Sequence, residues 1–460
     1  MKKSKQDLPV QKNELYRSQI EGLTHDGLGV ARIEGFPVFV ANALPKEDVS
    51  FKPTLIKKSF AFGRAMEFHQ TSPHRVEPPC PIYKQCGGCQ LQHFDYESQL
   101  ETKQELVKSH MLRIGHLANV PVLETIGMEN PWRYRNKTQV PFGKDEFGRV
   151  VAGFYKRRSH EIMDMTSCLI QQDVSDQIIN DMKTLCETYG IEPYDEAMSK
   201  GALRHVIVRV GFKSGEIMVT LVTRTKKLPA QKEIIDFLTA NYPQIKSIAQ
   251  NVNPKATNVI FGDETQILYG EPYIYDELDG IRFAISPRSF YQVNPIQTET
   301  LYAKAVEFAQ LTGDEIVFDA YCGIGSITLF LARRAKKVYG VEIVPEAIND
   351  ARLNATLNGM DNVHFETGKS EEVIPKWLES GIVPDVIVVD PPRKGCETSL
   401  LDAFIEVAPK RIVYVSCDSS TLARDLKILS EGGYDVEVVQ PVDMFPQTTH
   451  VECVALLTKK

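Results

Sequence analysis

The sequence predicts a multidomain chain. An OB-like β-barrel comes first, then a central α+β region with a cysteine-cluster loop, then a carboxyl-terminal α/β, Rossmann-like domain. Three observations carry that expectation. At 460 residues the chain exceeds what one hydrophobic core ordinarily serves. Short strand-like runs punctuated by Gly and Pro fill the stretch from Tyr16 to Phe68. From about Ile281 onward, apolar runs alternate with helix-length stretches, as they do where parallel strands are joined by crossover helices.

Composition narrows the class. Hydrophobic residues at 43% and charged residues at 25% are the proportions of a soluble globular protein. No apolar run is long enough to span a bilayer, so no membrane association is expected. The start, MKKSKQDLPVQKNEL, has positive charge with no apolar stretch behind it; it is not a secretory signal, and a cytoplasmic location is expected. A net charge of −7 argues against a general nucleic-acid binder. Local basic patches are compatible with it, because the field in a groove follows nearby charges. Arg133, Arg135 and Lys137, then Lys156-Arg157-Arg158, then Arg393-Lys394 are such candidates, the plainer reading of each being a solvated face. Nine cysteines, an odd number, point to metal or catalytic use rather than disulfides.

In chain order, the first strand-like segments are Leu23–Val30, Pro37–Ala41, Asp48–Lys57 and Phe60–Phe68, spaced as in a small barrel. The stretch IEGLTHDGLGVARIEGFPVFVANALPKEDV resembles the TRAM domain, which implies an RNA-binding barrel; a purely structural cap is the alternative. Next, CPIYKQCGGC sets Cys80, Cys86 and Cys89 in a loop of Pro and Gly able to wrap a metal. Cys168, past the basic segment, is the candidate fourth ligand. Soft thiolates suit a [4Fe–4S] cluster or tetrahedral zinc. Iron–sulfur ranks ahead of zinc, since paired CxxC knuckles would mark zinc and only one such pair is present.

Tyr96–His116 reads as an amphipathic helix. Arg204–Val210 and Ile217–Arg224 read as a β-hairpin through Lys213-Ser214-Gly215, with Ala249–Asn253 and Asn258–Leu268 as further strands. WRYRNKTQVPFG (Trp132–Gly143) interleaves Arg with aromatics. That pattern stacks on unpaired bases, and a β-rich packing domain with a basic rim shows it too. Later apolar runs end at Asp319, Val341, Phe365, Val389 and Val415, implying five parallel strands. Tyr434–Val442 and His450–Leu457, with no helix-length segment between them, imply an antiparallel hairpin.

The chemistry sits at the ends of those runs. FDAYCGIGSITLFLA (Phe318–Ala332) is a strand, a turn and a helix start, and Gly323 and Gly325 let the backbone pass close to a ligand. Glu342 ends the next strand, where an acid takes ribose hydroxyls. The third glycine of a dinucleotide fingerprint is missing, which favours a nucleoside without a pyrophosphate, S-adenosylmethionine. In VVDPPRKG (Val388–Gly395), Asp390 and two prolines make a rigid lip. Arg393 stands where amino-group methyltransferases usually place an aromatic, which argues against an exocyclic-amine substrate. RIVYVSCDSSTLARDL (Arg411–Leu426) puts Cys417 between a strand and a helix, at the sheet edge where ligands bind. A lone cysteine is more often a small buried residue. Glu452, in the apolar run HVECVALLT, is out of pattern, whereas Cys453 should point the other way, into the core.

FYQVN (Phe290–Asn294), DAYCGIGS, VEIVPEAI, DPPRKG, SCDSSTLARDL and HVECV together resemble the RNA 5-methyluridine methyltransferases. With the TRAM-like start and the cysteine loop, the resemblance spans nearly the entire chain. It implies that Gln292, Tyr321, Glu342 and Asp390 contact the methyl donor beside Gly323 and Gly325, that Cys417 is the nucleophile, and that Glu452 is the base. It also implies the branch acting on uridines of 23S ribosomal RNA, since the tRNA-specific branch typically lacks the TRAM and cysteine segments. The domains expected are 1–72 (TRAM-like barrel), 73–92 with 125–275 (central domain), and 93–124 with 276–460 (catalytic domain). Carbon-5 of uracil is too weakly nucleophilic to attack a sulfonium methyl. A thiolate added at carbon-6 makes it an enolate that can. That route asks for an exposed, partly ionised Cys417, a base for the carbon-5 proton, and a uridine flipped out of its stack. The competing readings are a tRNA uridine-5 methyltransferase, an RNA cytosine-5 methyltransferase and a non-catalytic RNA-binding iron–sulfur protein. The second of these would carry Pro-Cys where this chain has Asp390-Pro391-Pro392. No obligate protein partner is expected.

Overall fold

The computed structural model describes residues 8–157 and 159–460. The basic start Met1–Asp7, and Arg158 of the basic run, lie outside the described residues. Two compact units are formed: the chain to Leu106 with Phe445–Thr449, and Val107–Met444 with His450–Lys460. No described helix is long and apolar enough to cross a membrane.

In the first unit, β1 (Tyr16–Gln19), β2 (Gly22–Leu23), β3 (Gly29–Ile33), β4 (Phe36–Ala41), β5 (Asp48–Ile56) and β6 (Ala61–Gln70) form one sheet in the order β1-β5-β6-β4-β3-β2. Alternation decides its inner face: Phe36, Val38 and Val40 of β4 are buried in turn and join Val49, Phe51 and Ala61 in one core. The segment Leu23–Val30, expected as a single strand, is instead two short strands around a turn. Thr24 Oγ1 accepts the Leu28 N–H at 3.1 Å, and Gly27 takes φ +74°, a left-handed conformation that a strand does not accommodate. Beyond this sheet, the cysteine loop winds through single turns, Tyr83 N–H to Cys80 O and Cys86 N–H to Ile82 O. Helix α1 (Tyr96–Arg113) begins in this unit and ends in the second. It stops short of the expected His116 because the chain closes back at Gly115, whose N–H reaches His110 O.

The second unit contains two large sheets. The first runs β12-β11-β10-β9-β7-β8, built from β7 (Lys137–Lys144), β8 (Val150–Ala152), β9 (Leu203–Val210), β10 (Ile217–Thr223), β11 (Ile245–Val252) and β12 (Glu264–Gly270), with α2 (Asp173–Tyr189) and α3 (Gln231–Asn241) between strands. The β9–β10 hairpin is antiparallel as expected. The strand expected from Asn258 begins only at Glu264, because the Asn253 side-chain amide donates to Val259 O and Ile260 O at 2.7 and 2.9 Å and removes both carbonyls from any ladder. A hairpin of β13 (Ile274–Leu278) and β14 (Ile281–Ile285) then leads to α4 (Pro295–Ala309).

The second sheet follows from β15 (Ile316–Ala320), α5 (Ser326–Ala332), β16 (Lys337–Glu342), α6 (Pro345–Leu357), β17 (Val363–Thr367), α7 (Ser370–Glu379), β18 (Val386–Val389), α8 (Thr398–Val407), β19 (Arg411–Ser416), α9 (Ser419–Glu431), β20 (Tyr434–Val442) and β21 (Glu452–Lys459). Its order is β17-β16-β15-β18-β19-β21-β20, the first five strands parallel. Four-residue β18 is buried throughout, as a strand covered by helices on both faces must be. The last two strands do pair antiparallel, and β21 inserts between β19 and β20 instead of adding to the edge. The order reverses between β15 and β18, which marks where a ligand crevice opens above the strand ends.

Candidate active site

Residues 321–325 turn back over the end of β15. Tyr321, Gly323 and Gly325 are left-handed, at φ +72°, +55° and +83°. A Cβ on Gly325 would stand 3.2 Å from Phe365 Cζ and 3.3 Å from Ala351 Cβ, so glycine alone lets the turn pack there. At Gly323 nothing lies within 4 Å of that position, leaving open room above the turn. Glu342, ending β16, faces the same turn. Its Oε2 accepts the Gly323 N–H at 3.3 Å and its Oε1 the Val344 N–H at 3.0 Å. Exposed apolar Ile343 and Val344 follow it. An acid at hydroxyl-binding position, a glycine turn with free space and an apolar shelf fit a nucleoside donor. Tyr321 packs partly on the core and its hydroxyl bonds to Cys396. Gln292 is buried in the run into α4, its carbonyl accepting Asn136 Nδ2 at 2.9 Å.

The reactive groups gather on the neighbouring strands. Asp390 follows β18, and burial, with Asp319 nearby, pushes it up to about 7. Asp319 is itself held near 7 by burial. One of its oxygens accepts from the Thr328 hydroxyl, and Oδ1 is buried without a partner among the described residues. Cys417 lies in the connection from β19 to α9, which Asp418 holds by accepting the Ser420 and Thr421 N–H groups at 2.9 and 3.2 Å. The β19–β21 ladder pairs Val415 with Val454 and Ser416 with Cys453. The ladder stops there and the chain bends at Cys417, whose thiol feels the charges of Glu452 and Asp390. Cys453 is fully buried in the core, as alternation requires.

Electrostatics at this pair depart from expectation. Glu452 is only 3% exposed, and burial, then Asp390, push its carboxyl up to about 8 while Arg393 opposes them. The Cys417 thiol is half-buried and pushed up to about 11 by burial, then Glu452 and Asp390, again against Arg393. The exposed, partly ionised thiol expected from the sheet edge is therefore corrected: burial first, and then two carboxyl groups that outweigh one cation, favour the protonated sulfur. Sequence reasoning also missed Tyr302. It is buried on α4 beside Leu301, Ala305 and Phe308, so it reads as core. Its hydroxyl nevertheless bonds with Ser326 and faces Asp390 and Glu452.

The cysteines expected to bind metal are apportioned differently. Cys80, Cys86 and Cys89 belong to the first unit and Cys168 to the second. Among the described residues no group of three or more His, Cys, Asp and Glu side chains gathers as a metal holder. Cys86 and Cys89 are buried, and Cys86 Sγ accepts the Gly88 N–H at 3.3 Å, the backbone bond a thiolate ligand receives. Of the basic candidates, Arg133 is occupied by Cys168 O at 2.6 Å, Gln171 O at 2.9 Å and Asp173 at 2.7 Å. Lys156 pairs with Glu161 and Lys394 with Glu397. Arg393 faces the buried acids and the thiol.

The family model described as tRNA (Uracil-5-)-methyltransferase matches residues 95–460. An uncharacterized RNA methyltransferase of Bacillus cereus is 58% identical, covering 98% of this chain and 98% of its own. One from Halalkalibacterium halodurans is 56% identical, covering 99% and 100%. Among solved structures, the Pyrococcus abyssi tRNA (uracil-54, C5)-methyltransferase in complex with S-adenosyl-L-homocysteine matches with a TM-score of 0.78 at 29% identity, covering 96% of this chain and 100% of that one.

Proposed function

Because the chain belongs to the tRNA (uracil-5-)-methyltransferase family, an S-adenosylmethionine-dependent RNA methyltransferase family, we propose that its target is carbon-5 of a uridine in 23S ribosomal RNA, reached through a covalent adduct on Cys417. The observation that supports this is the β19–β21 ladder running up to Ser416 and Cys453, next to which the Cys417 thiol feels the charges of Glu452 and Asp390. Cys417 sulfur bonds to carbon-6 of a flipped-out uracil, which makes carbon-5 nucleophilic. S-adenosylmethionine, when bound, supplies the methyl group; Gln292, Tyr321, Gly323, Gly325, Glu342 and Asp390 would hold it. Glu452 then takes the proton from carbon-5, and the sulfur leaves carbon-6. Arg393, facing both groups, favours the ionised sulfur and the ionised carboxylate.

The TRAM-like resemblance of the first segment supports a barrel of residues 1–72 that holds the RNA, with 73–92 and 125–275 as the central domain and 93–124 and 276–460 as the catalytic one. Deleting residues 1–72 should weaken RNA binding and leave donor binding alone; loss of both would contradict that division. The proposal includes a thiolate site of Cys80, Cys86, Cys89 and Cys168 holding a [4Fe–4S] cluster, with zinc as runner-up. It is supported by the cysteine spacing and the Gly88 bond to Cys86. Iron, acid-labile sulfide and zinc contents of anaerobically purified protein test it. An RNA substrate supports a cytoplasmic location.

A second reading, tRNA as substrate, is favoured by the family description and by the Pyrococcus abyssi neighbour. Mapping 5-methyluridine in 23S ribosomal RNA and in tRNA from cells lacking this protein decides between them. Loss of the modification from tRNA alone would overturn the ribosomal reading, and a 5-methylcytidine product would overturn both.

A further inference from the structure

Three cations converge on one face of the first sheet of the second unit. Lys137 on β7 and Arg209 on β9 are directly opposite in the antiparallel ladder, and Arg135, two residues before Lys137, is near enough to act on its charge. Like charges placed opposite each other across two strands destabilise a sheet. The described residues supply no carboxylate to any of the three. Arg209 is 3% exposed, and its Nη1, like Arg135 Nε, is buried with no hydrogen-bond partner among the described residues. Buried donors left open in this way mark a place where something else completes the bonding. Burial, with Arg209 and Arg135 beside it, brings the Lys137 ammonium down to about 8, as close packing without a counter-anion requires.

The position is informative too. Arg209 Nη2 donates to Ser289 O at 2.9 Å. On the same strand start, the Asn136 N–H donates to Val293 O at 2.8 Å and Asn136 Nδ2 to Gln292 O at 2.9 Å. The cations are thus stitched to the run that carries Gln292 and enters α4, whose Tyr302 faces Asp390 and Glu452. Three positive charges exceed what one donor carboxylate calls for, whereas an RNA strand brings a phosphate at each nucleotide.

We infer that Arg135, Lys137 and Arg209 bind successive backbone phosphodiesters of the RNA substrate, holding the strand beside the nucleotide whose uracil enters the site. This rests on the RNA-methyltransferase reading above and adds the anion-binding face to it. Such interactions position the strand and carry no sequence information.

The test uses the full chain and a labelled single-stranded, uridine-containing oligoribonucleotide. RNA affinity is followed from low to moderate salt, alongside S-adenosylhomocysteine affinity by calorimetry. Arg135→Gln with Lys137→Gln should weaken RNA binding by about tenfold or more and make the slope of log affinity against log salt shallower by about 0.7 for each phosphate no longer neutralised. S-adenosylhomocysteine affinity should stay unchanged, which also reports that the variant is folded. Lys137→Arg should restore most of the slope, which recovered packing without charge would not do. An unchanged slope with wild-type affinity overturns the inference. So does a loss of S-adenosylhomocysteine affinity with RNA binding intact, which would assign the cations to the donor carboxylate. Wild-type protein that transfers no methyl group to any RNA would sink the parent reading with it. Wild-type transfer beside an unaltered variant slope sinks this inference alone.

Discussion

Glu452 should give the release step a pH dependence that an ordinary glutamate would not. Burial and Asp390 hold its carboxyl at about 8. The ionised form needed to take the carbon-5 proton is then about one-hundredth populated at pH 6, one-tenth at pH 7 and half at pH 8. Decay of the covalent RNA–protein adduct should therefore quicken roughly fiftyfold from pH 6 to pH 8 and level off above pH 9. A single-turnover reaction quenched into denaturant and resolved on a gel reads that decay directly. Glu452→Gln should trap the adduct at every pH and slow turnover by about 10²–10⁴. Stability carries the same signature with the opposite sign. A carboxyl raised from 4.5 to about 8 keeps its proton in the folded state after the unfolded chain has lost it, so stability falls as pH climbs through that window. Glu452→Gln removes the penalty, about 4 kcal/mol at pH 8, and should raise the melting temperature there but not at pH 4. A flat decay profile between pH 6 and 8, or a Glu452→Gln variant that releases product normally, would refute the assignment.

Cys417→Ala should abolish methyl transfer yet bind S-adenosylhomocysteine as the wild type does, a result calorimetry settles. Gly325→Ala forces a side chain into a left-handed residue with neighbours at 3.2 and 3.3 Å. It should lower stability by about 1–2 kcal/mol in a denaturant titration and weaken donor binding. Asp418→Ala removes the acceptor that holds the start of α9. The expected loss is about 1 kcal/mol of stability, with slower adduct formation because the turn bearing Cys417 loosens.

Much of the second large sheet was legible because Val386–Val389 and Ile412–Val415 are unbroken apolar runs, which a parallel strand covered on both faces demands. Glu452 announced itself as an acid inside such a run. What could not be read depended on groups far apart in the chain. The Asn253 amide silences two carbonyls that β-propensity alone would assign to a strand. Tyr302 looks like any aromatic on the apolar side of a helix, and only the fold turns its hydroxyl toward Asp390 and Glu452. The proton affinity of Cys417 was misjudged for the same reason: the fold half-buries the thiol and brings up Glu452 of β21 and Asp390 after β18, none of which its own turn announces. Arg209 hides in the otherwise apolar strand LRHVIVRV, and nothing local says that Lys137 will be its neighbour.

The strand bearing Glu452 follows every other element in chain order, yet it lies inside the sheet between β19 and β20. If Cys417 captures the pyrimidine and Glu452 releases it, as proposed, a polypeptide folded only as far as α9 owns the sulfur but has nothing with which to let go. On that reading, release is withheld until the last ribbon has slid into its slot between β19 and β20.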